Sequence, residues 1–211
     1  MGEFVAISGV MGGSQELTAS ALRDFALEND GGMAEVQLTT NDDSCLVIAA
    51  GKSGVTVLYP YDFSGWDESS AYLSMKLQKP VFSFHIHDGD FWIYRLFENG
   101  EVVDQFNPIP DYWGDVDDEE RQSWRGNAAA VASRVPGIAP EDIANYLVEW
   151  DDELIDESPE SKAYPSDKSP YGEDRQMVDF LTKLGLKYLE HGTGMADGLT
   201  YRFDCTVEET D

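Results

Sequence analysis

The chain has 211 residues, 41 of them Asp or Glu against 14 Lys or Arg, and a formal net charge of −27 at pH 7. A field of that sign repels phosphate backbones, so no nucleic-acid partner is expected. Hydrophobic residues at 42% and aromatics at 12% supply enough apolar surface for a core, which excludes a wholly disordered acidic chain.

A strand is expected over residues 3–8, then a glycine-rich turn and a helix over about 16–28. Leu17, Ala21, Leu22, Phe25 and Ala26 approximate one apolar face of that helix. Ser14 is placed to cap it, and Asn29-Asp30-Gly31-Gly32 stops it. Strand-like runs follow over 35–40, 44–50 and 54–59, the last two joined by the short loop at 51–54. A second helix is expected over 67–78, closed by Pro80. Residues 81–87, 91–98 and 101–107 form a three-stranded meander, because Asp88-Gly89 and Asn99-Gly100 favour tight hairpins. The order so far is β-α-βββ-α-βββ.

Beyond Trp113 the pattern changes. Residues 1–113 carry 17 acidic and five basic side chains, and residues 114–211 carry 24 and nine. We therefore read 1–113 as an α+β sheet core and 114–211 as an acidic, mainly helical region packed on it. Helices are expected over 118–134, 140–155 and 174–184, with a polar linker at about 156–173 holding Pro159, Pro165 and Pro170. A closing strand over 199–207 returns to the sheet. The fold class is α+β: an antiparallel sheet of two β-meander units, helices on one face, and the helical acidic C-terminal region.

Cys45 and Cys205 read as small buried hydrophobes in a reducing compartment, with a disulfide between them as the lesser alternative. No run approaches 18 apolar residues and the first residues carry no Lys or Arg. A cytoplasmic protein with no membrane partner is therefore expected.

A two-residue Asn99-Gly100 turn sets Phe97 opposite Val102, Arg95 opposite Asp104 and Ile93 opposite Phe106. The polar pair Arg95–Asp104 then lies on a core face with Phe82, Phe84, Ile86 and Phe91. The other face presents His85, His87, Trp92, Tyr94 and Gln105, the most site-like surface in the chain. Trp150, in the acidic stretch 149–157, is a candidate outlying anchor. Histidines at i and i+2 of a strand project the same way, so His85 and His87 with Asp90 are candidate metal ligands. Asp88 sits in the turn, and His191 is the only other histidine. The segment 8–14 matches no phosphate-binding loop, and no nucleophile elbow occurs. No cofactor is expected.

These observations favour a non-catalytic binding or interaction module, inhibitor-like, immunity-like or an adaptor, whose acidity meets a basic protein partner. The alternatives are a metal-dependent enzyme centred on His85 and His87, and a salt-adapted protein of unrelated role. Oligomeric state stays open.

Overall fold

The computed structural model describes residues 2–36, 43–151, 155, 161–189 and 198–207. The chain runs β1 (Val5–Met11), α1 (Gln15–Glu28), β2 (Gly32–Glu35), β3 (Cys45–Ala50), β4 (Gly54–Leu58) and α2 (Trp66–Leu77). The second half of the sheet follows as β5 (Val81–His87), β6 (Phe91–Glu98) and β7 (Glu101–Phe106). The C-terminal region adds α3 (Asp118–Ser123), α4 (Ala128–Ala132), α5 (Gln176–Leu184) and β8 (Gly198–Asp204). One eight-stranded antiparallel sheet results, in the order β2-β8-β3-β4-β1-β5-β6-β7, which makes the fold α+β. β1 is central and all seven of its residues are buried.

The closing strand does return to the sheet, but it enters between β2 and β3 and pairs with both. The first strand trio is therefore not a continuous meander. β8 buries Thr200, Tyr201 and Phe203, whereas the four-residue β2 exposes Ala34 and Glu35, and the weaker strand takes the edge.

α1 begins where expected, with the Ser14 hydroxyl accepting from the Leu17 amide at 3.3 Å. It packs beside α2 on one face of the sheet, burying Leu22, Phe25, Ala26 and Leu73 against Val10, Ile48, Val57 and Phe203. At the α2–sheet seam lies a closed hydroxyl network. Ser8 Oγ is 2.7 Å from Tyr59 Oη and 2.6 Å from Ser70 Oγ, and Tyr59 donates to Ser69 at 2.8 Å. Burial pushes the Tyr59 phenol up to about 12.

The other face is covered too, by the C-terminal region, so helices lie on both faces rather than one. Phe180 of α5 sits on Phe84, Trp92 and Tyr94 with ring centroids 6.2, 5.2 and 5.7 Å away, and Tyr146 packs on it from above at 5.4 Å. Val131, Val135, Ile143, Trp150, Met177 and Leu181 complete this cluster.

Two expected helices are shorter than their patterns. The 118–134 helix breaks into α3 and α4 at Gly126, whose φ of +66° lets the backbone pass over Phe106 and Tyr94. Over residues 140–151 of the expected 140–155 helix the chain instead makes two short 3₁₀ turns, Pro140–Asp142 and Ala144–Tyr146, and residues 152–154 lie outside the described residues. Asn145 spends its side-chain amide on the Ala163 carbonyl, and the Trp150 amide donates to the Pro108 carbonyl, so tertiary bonds displace the helical ladder. Residues 161–173 of the expected linker are docked rather than loose. Asp179 accepts from the Lys168 and Ser169 amides at 2.9 and 2.8 Å, and the Tyr171 hydroxyl donates to the Asn145 carbonyl. Cys45 and Cys205 are not joined in a disulfide.

Candidate functional site

The β5–β6 hairpin positions the histidines, and its loop decides which residues accompany them. Asp88 and Gly89 both adopt left-handed backbone, at φ 53° and 74°, and Asp90 joins them in a three-residue loop that pairs His87 with Phe91. A strand shifted by one residue turns every side chain to the other face. Trp92, Tyr94 and Leu96 consequently stand opposite Ile86, Phe84 and Phe82, beneath the C-terminal region. Phe91, Ile93 and Arg95 stand opposite His87, His85 and Ser83.

The Asn99-Gly100 turn is as tight as expected, with Phe97 opposite Val102. A bulge between Leu96 and Phe97 shifts the rest of the pairing, so Arg95 faces Gln105 and Asp104 faces Leu96. The expected Arg95–Asp104 pair is thereby corrected, for the two side chains occupy opposite faces. Arg95 bonds Asp67 of α2, with its guanidinium 5.1 Å from the Trp124 ring centre. Asp104 accepts from the Tyr94 hydroxyl at 2.6 Å and the Asn127 amide at 3.2 Å, while burial raises its carboxyl above the ordinary range.

The expected binding surface therefore divides. Trp92, Tyr94 and Trp150 are buried in the C-terminal cluster, where Trp92 also donates to Gln176 at 3.4 Å. Gln105 lies on the histidine face but toward α3, donating to Ser123 at 3.2 Å. His85 and His87 remain together, with ring centroids 5.7 Å apart. Asp90 is engaged by the Tyr112 hydroxyl at 2.6 Å, and His191 lies outside the described residues. Among the described residues, no group of three His, Cys, Asp or Glu side chains is placed to hold a metal ion.

Other partners surround the two histidines. Trp66 stacks on His85 at 4.6 Å with planes only 10° apart, and Phe4 packs against both imidazoles. His87 meets Tyr112 at 5.6 Å and Trp113 edge-on at 5.0 Å, and both rings also touch Phe91. Burial, with His87 alongside, lowers the His85 pKa to about 4, so its ring is neutral at pH 7. Sequence reasoning misses Phe4, Tyr61, Trp66, Tyr112 and Trp113. The available signal was the concentration of 14 of the 25 aromatics between Tyr59 and Trp113.

Two features distinguish this end of the sheet. One is an exposed patch, with Trp113 61% and Tyr112 39% accessible. Exposed Asp88, Asp90, Asp111 and Asp115 lie close to it in the chain or in contact. The other is a cavity of about 240 Å³ behind Phe4, walled chiefly by Tyr61, Phe63, Trp66 and His85. Comparison with protein-family models, with curated proteins and with solved structures yields no match. Function is therefore to be sought in the chemistry of these surfaces. No helix among the described residues is long and apolar enough to cross a membrane.

Proposed function

We propose that the protein is a non-catalytic binding module that receives a basic protein partner on the Tyr112–Trp113 patch. The observation that carries this reading is the exposed Trp113, held in place by ring contacts with His87, Phe91 and Tyr112. A large aromatic that is both accessible and already ordered loses little entropy on binding, and such residues dominate interface energetics.

Charge supplies the complement. Six of the ten residues 111–120 are Asp or Glu, and Arg121 offsets only Asp111 and Glu149 by direct contact. Asp117 caps α3 by accepting from the Glu120 amide, and the other acids of that first turn point to solvent. A field of this sign accelerates encounter with a basic surface and repels an acidic one.

The test is affinity capture from the organism that encodes the chain, across a salt series. A basic protein retained at low salt and released as ionic strength rises is the expected result. Retention that is independent of salt, or capture of acidic proteins only, contradicts the reading.

A further inference from the structure

Three cations of this chain each join a carboxylate to an aromatic ring. Arg95 bonds Asp67 while its guanidinium lies 5.1 Å from the Trp124 ring centre. Arg175 meets Glu3 at 3.3 Å and lies 5.4 Å from the Tyr188 ring centre. Lys76, 3.0 Å from Asp24, lies 5.7 Å from the Tyr72 ring centre. A cation over a ring gains from the negative face of its π-system, and a carboxylate beside it adds a charge-assisted bond. The Tyr112–Trp113 patch has the ring and the acid without the cation. Both rings reach solvent, and they stand at 80° to each other with centroids 5.3 Å apart. Asp90 accepts from the Tyr112 hydroxyl at 2.6 Å, which fixes a carboxylate at the edge of the patch. Among the described residues no Lys or Arg lies over either ring. Arg121, the arginine nearest in sequence, is engaged by Asp111 and Glu149.

From this incomplete set we infer that the patch receives an arginine side chain of the basic partner, its guanidinium over the Tyr112–Trp113 rings and paired with Asp90. Arginine satisfies both contacts at once. Its planar guanidinium stacks on aromatic faces, its fork of N–H groups matches a carboxylate, and it sheds water more readily than the ammonium of lysine. Charge rejects the other occupants. An acidic or phosphorylated side chain would approach exposed Asp88 and Asp90 on a molecule of net charge −27, and a second copy of this chain brings the same sign. A purely apolar side chain would cover the rings and gain nothing from the acids.

The inference rests on the patch being the recognition surface proposed above. It is tested on the full chain with three probes, the N-acetyl amides of arginine, lysine and citrulline, while the Trp113 indole and Tyr112 ring signals are followed by NMR. Citrulline keeps the shape of arginine and replaces the guanidinium by a neutral urea. The arginine probe is expected to move both signals saturably, and the citrulline probe to bind about tenfold more weakly. Trp113→Leu keeps every carboxylate and should weaken the arginine probe about tenfold, read at Tyr112. Asp90→Asn keeps both rings and should weaken it about fivefold. Equal binding of arginine and citrulline, tighter binding of lysine, or an arginine response unchanged in either variant overturns the inference. The two proposals fail separately. A captured basic partner that needs Trp113, together with a silent arginine titration, rejects the arginine and keeps the patch. An arginine response with no basic protein captured rejects the partner and supports the ring–carboxylate site.

Discussion

The two faces of the sheet are covered in different ways. On the C-terminal side, large rings interlock: Phe84, Trp92, Tyr94, Tyr146 and Phe180 form one stacked cluster, all of it buried. On the helical side, α1 and α2 present small residues and hydroxyls, among them Ala21, Ala26, Ser69, Ser70 and Ser74. Near Trp66, the first residue of α2, the cover gives way to the His85 cavity and the Tyr112–Trp113 patch. The ring-packed face holds the molecule together, and the less fully covered face leaves chemistry accessible. On the function proposed above, stability and recognition are separated across a single sheet.

The largest effect expected from this contrast is on the packed face. Phe180→Ala removes the ring at the centre of the cluster and should cost about 3–5 kcal/mol in denaturant unfolding. A loss under about 1 kcal/mol would mean that Phe180 of α5 does not hold this cluster together.

Acid should weaken the helical face through His85. Its folded pKa, about 4, lies below the unfolded value of 6.5. The unfolded chain therefore binds the extra proton first, and stability falls as pH drops from 6.5 to 4 and no further below that. The shift corresponds to about 3 kcal/mol. Comparing the pH dependence of unfolding in the wild type and His85→Gln isolates this contribution, and an identical dependence in both would refute it.

Ser8→Ala opens the hydroxyl network where α2 meets β1. Tyr59 keeps its bond to Ser69, and Ser70 keeps its bond to the Trp66 carbonyl, so a loss of about 1–2 kcal/mol is expected by calorimetry. The smallest effect on stability is expected at the patch itself. Trp113→Ala should change unfolding free energy by less than about 0.5 kcal/mol, because the ring is mostly exposed.

How much of this is legible in the sequence differs between the same regions. Apart from β2, which lies at Gly32–Glu35 rather than over the expected 35–40 (residues 37–40 lie outside the described residues), strands and helices up to residue 107 follow from period, the Ser14 cap and the turn dipeptides, all of which are local signals. The face presented by β6 is not legible. Asp88-Gly89 reads as a two-residue turn, yet Asp90 joins the loop, and that one residue moves Trp92 and Tyr94 from the expected surface into the core. The pairing of β8 between β2 and β3 joins residues about 150 or more positions apart, which no local pattern encodes. In the C-terminal region, Asn145 and Trp150 give their hydrogen bonds to distant carbonyls, so helical periodicity overstates the helix. The histidine pair was visible as spacing on one strand. Its aromatic surroundings were not, since Phe4, Tyr61, Trp66 and Trp113 come from four separate segments.

Binding through the uncovered end of the sheet is best tested by the affinity of the captured basic partner for the wild type and for a Tyr112→Ala/Trp113→Ala variant of unchanged stability. Loss of the two anchors should weaken binding by at least about 2 kcal/mol, some thirtyfold, at low salt. Equal affinity of the two proteins would show that the partner, if basic, docks elsewhere and that this patch is not the recognition surface.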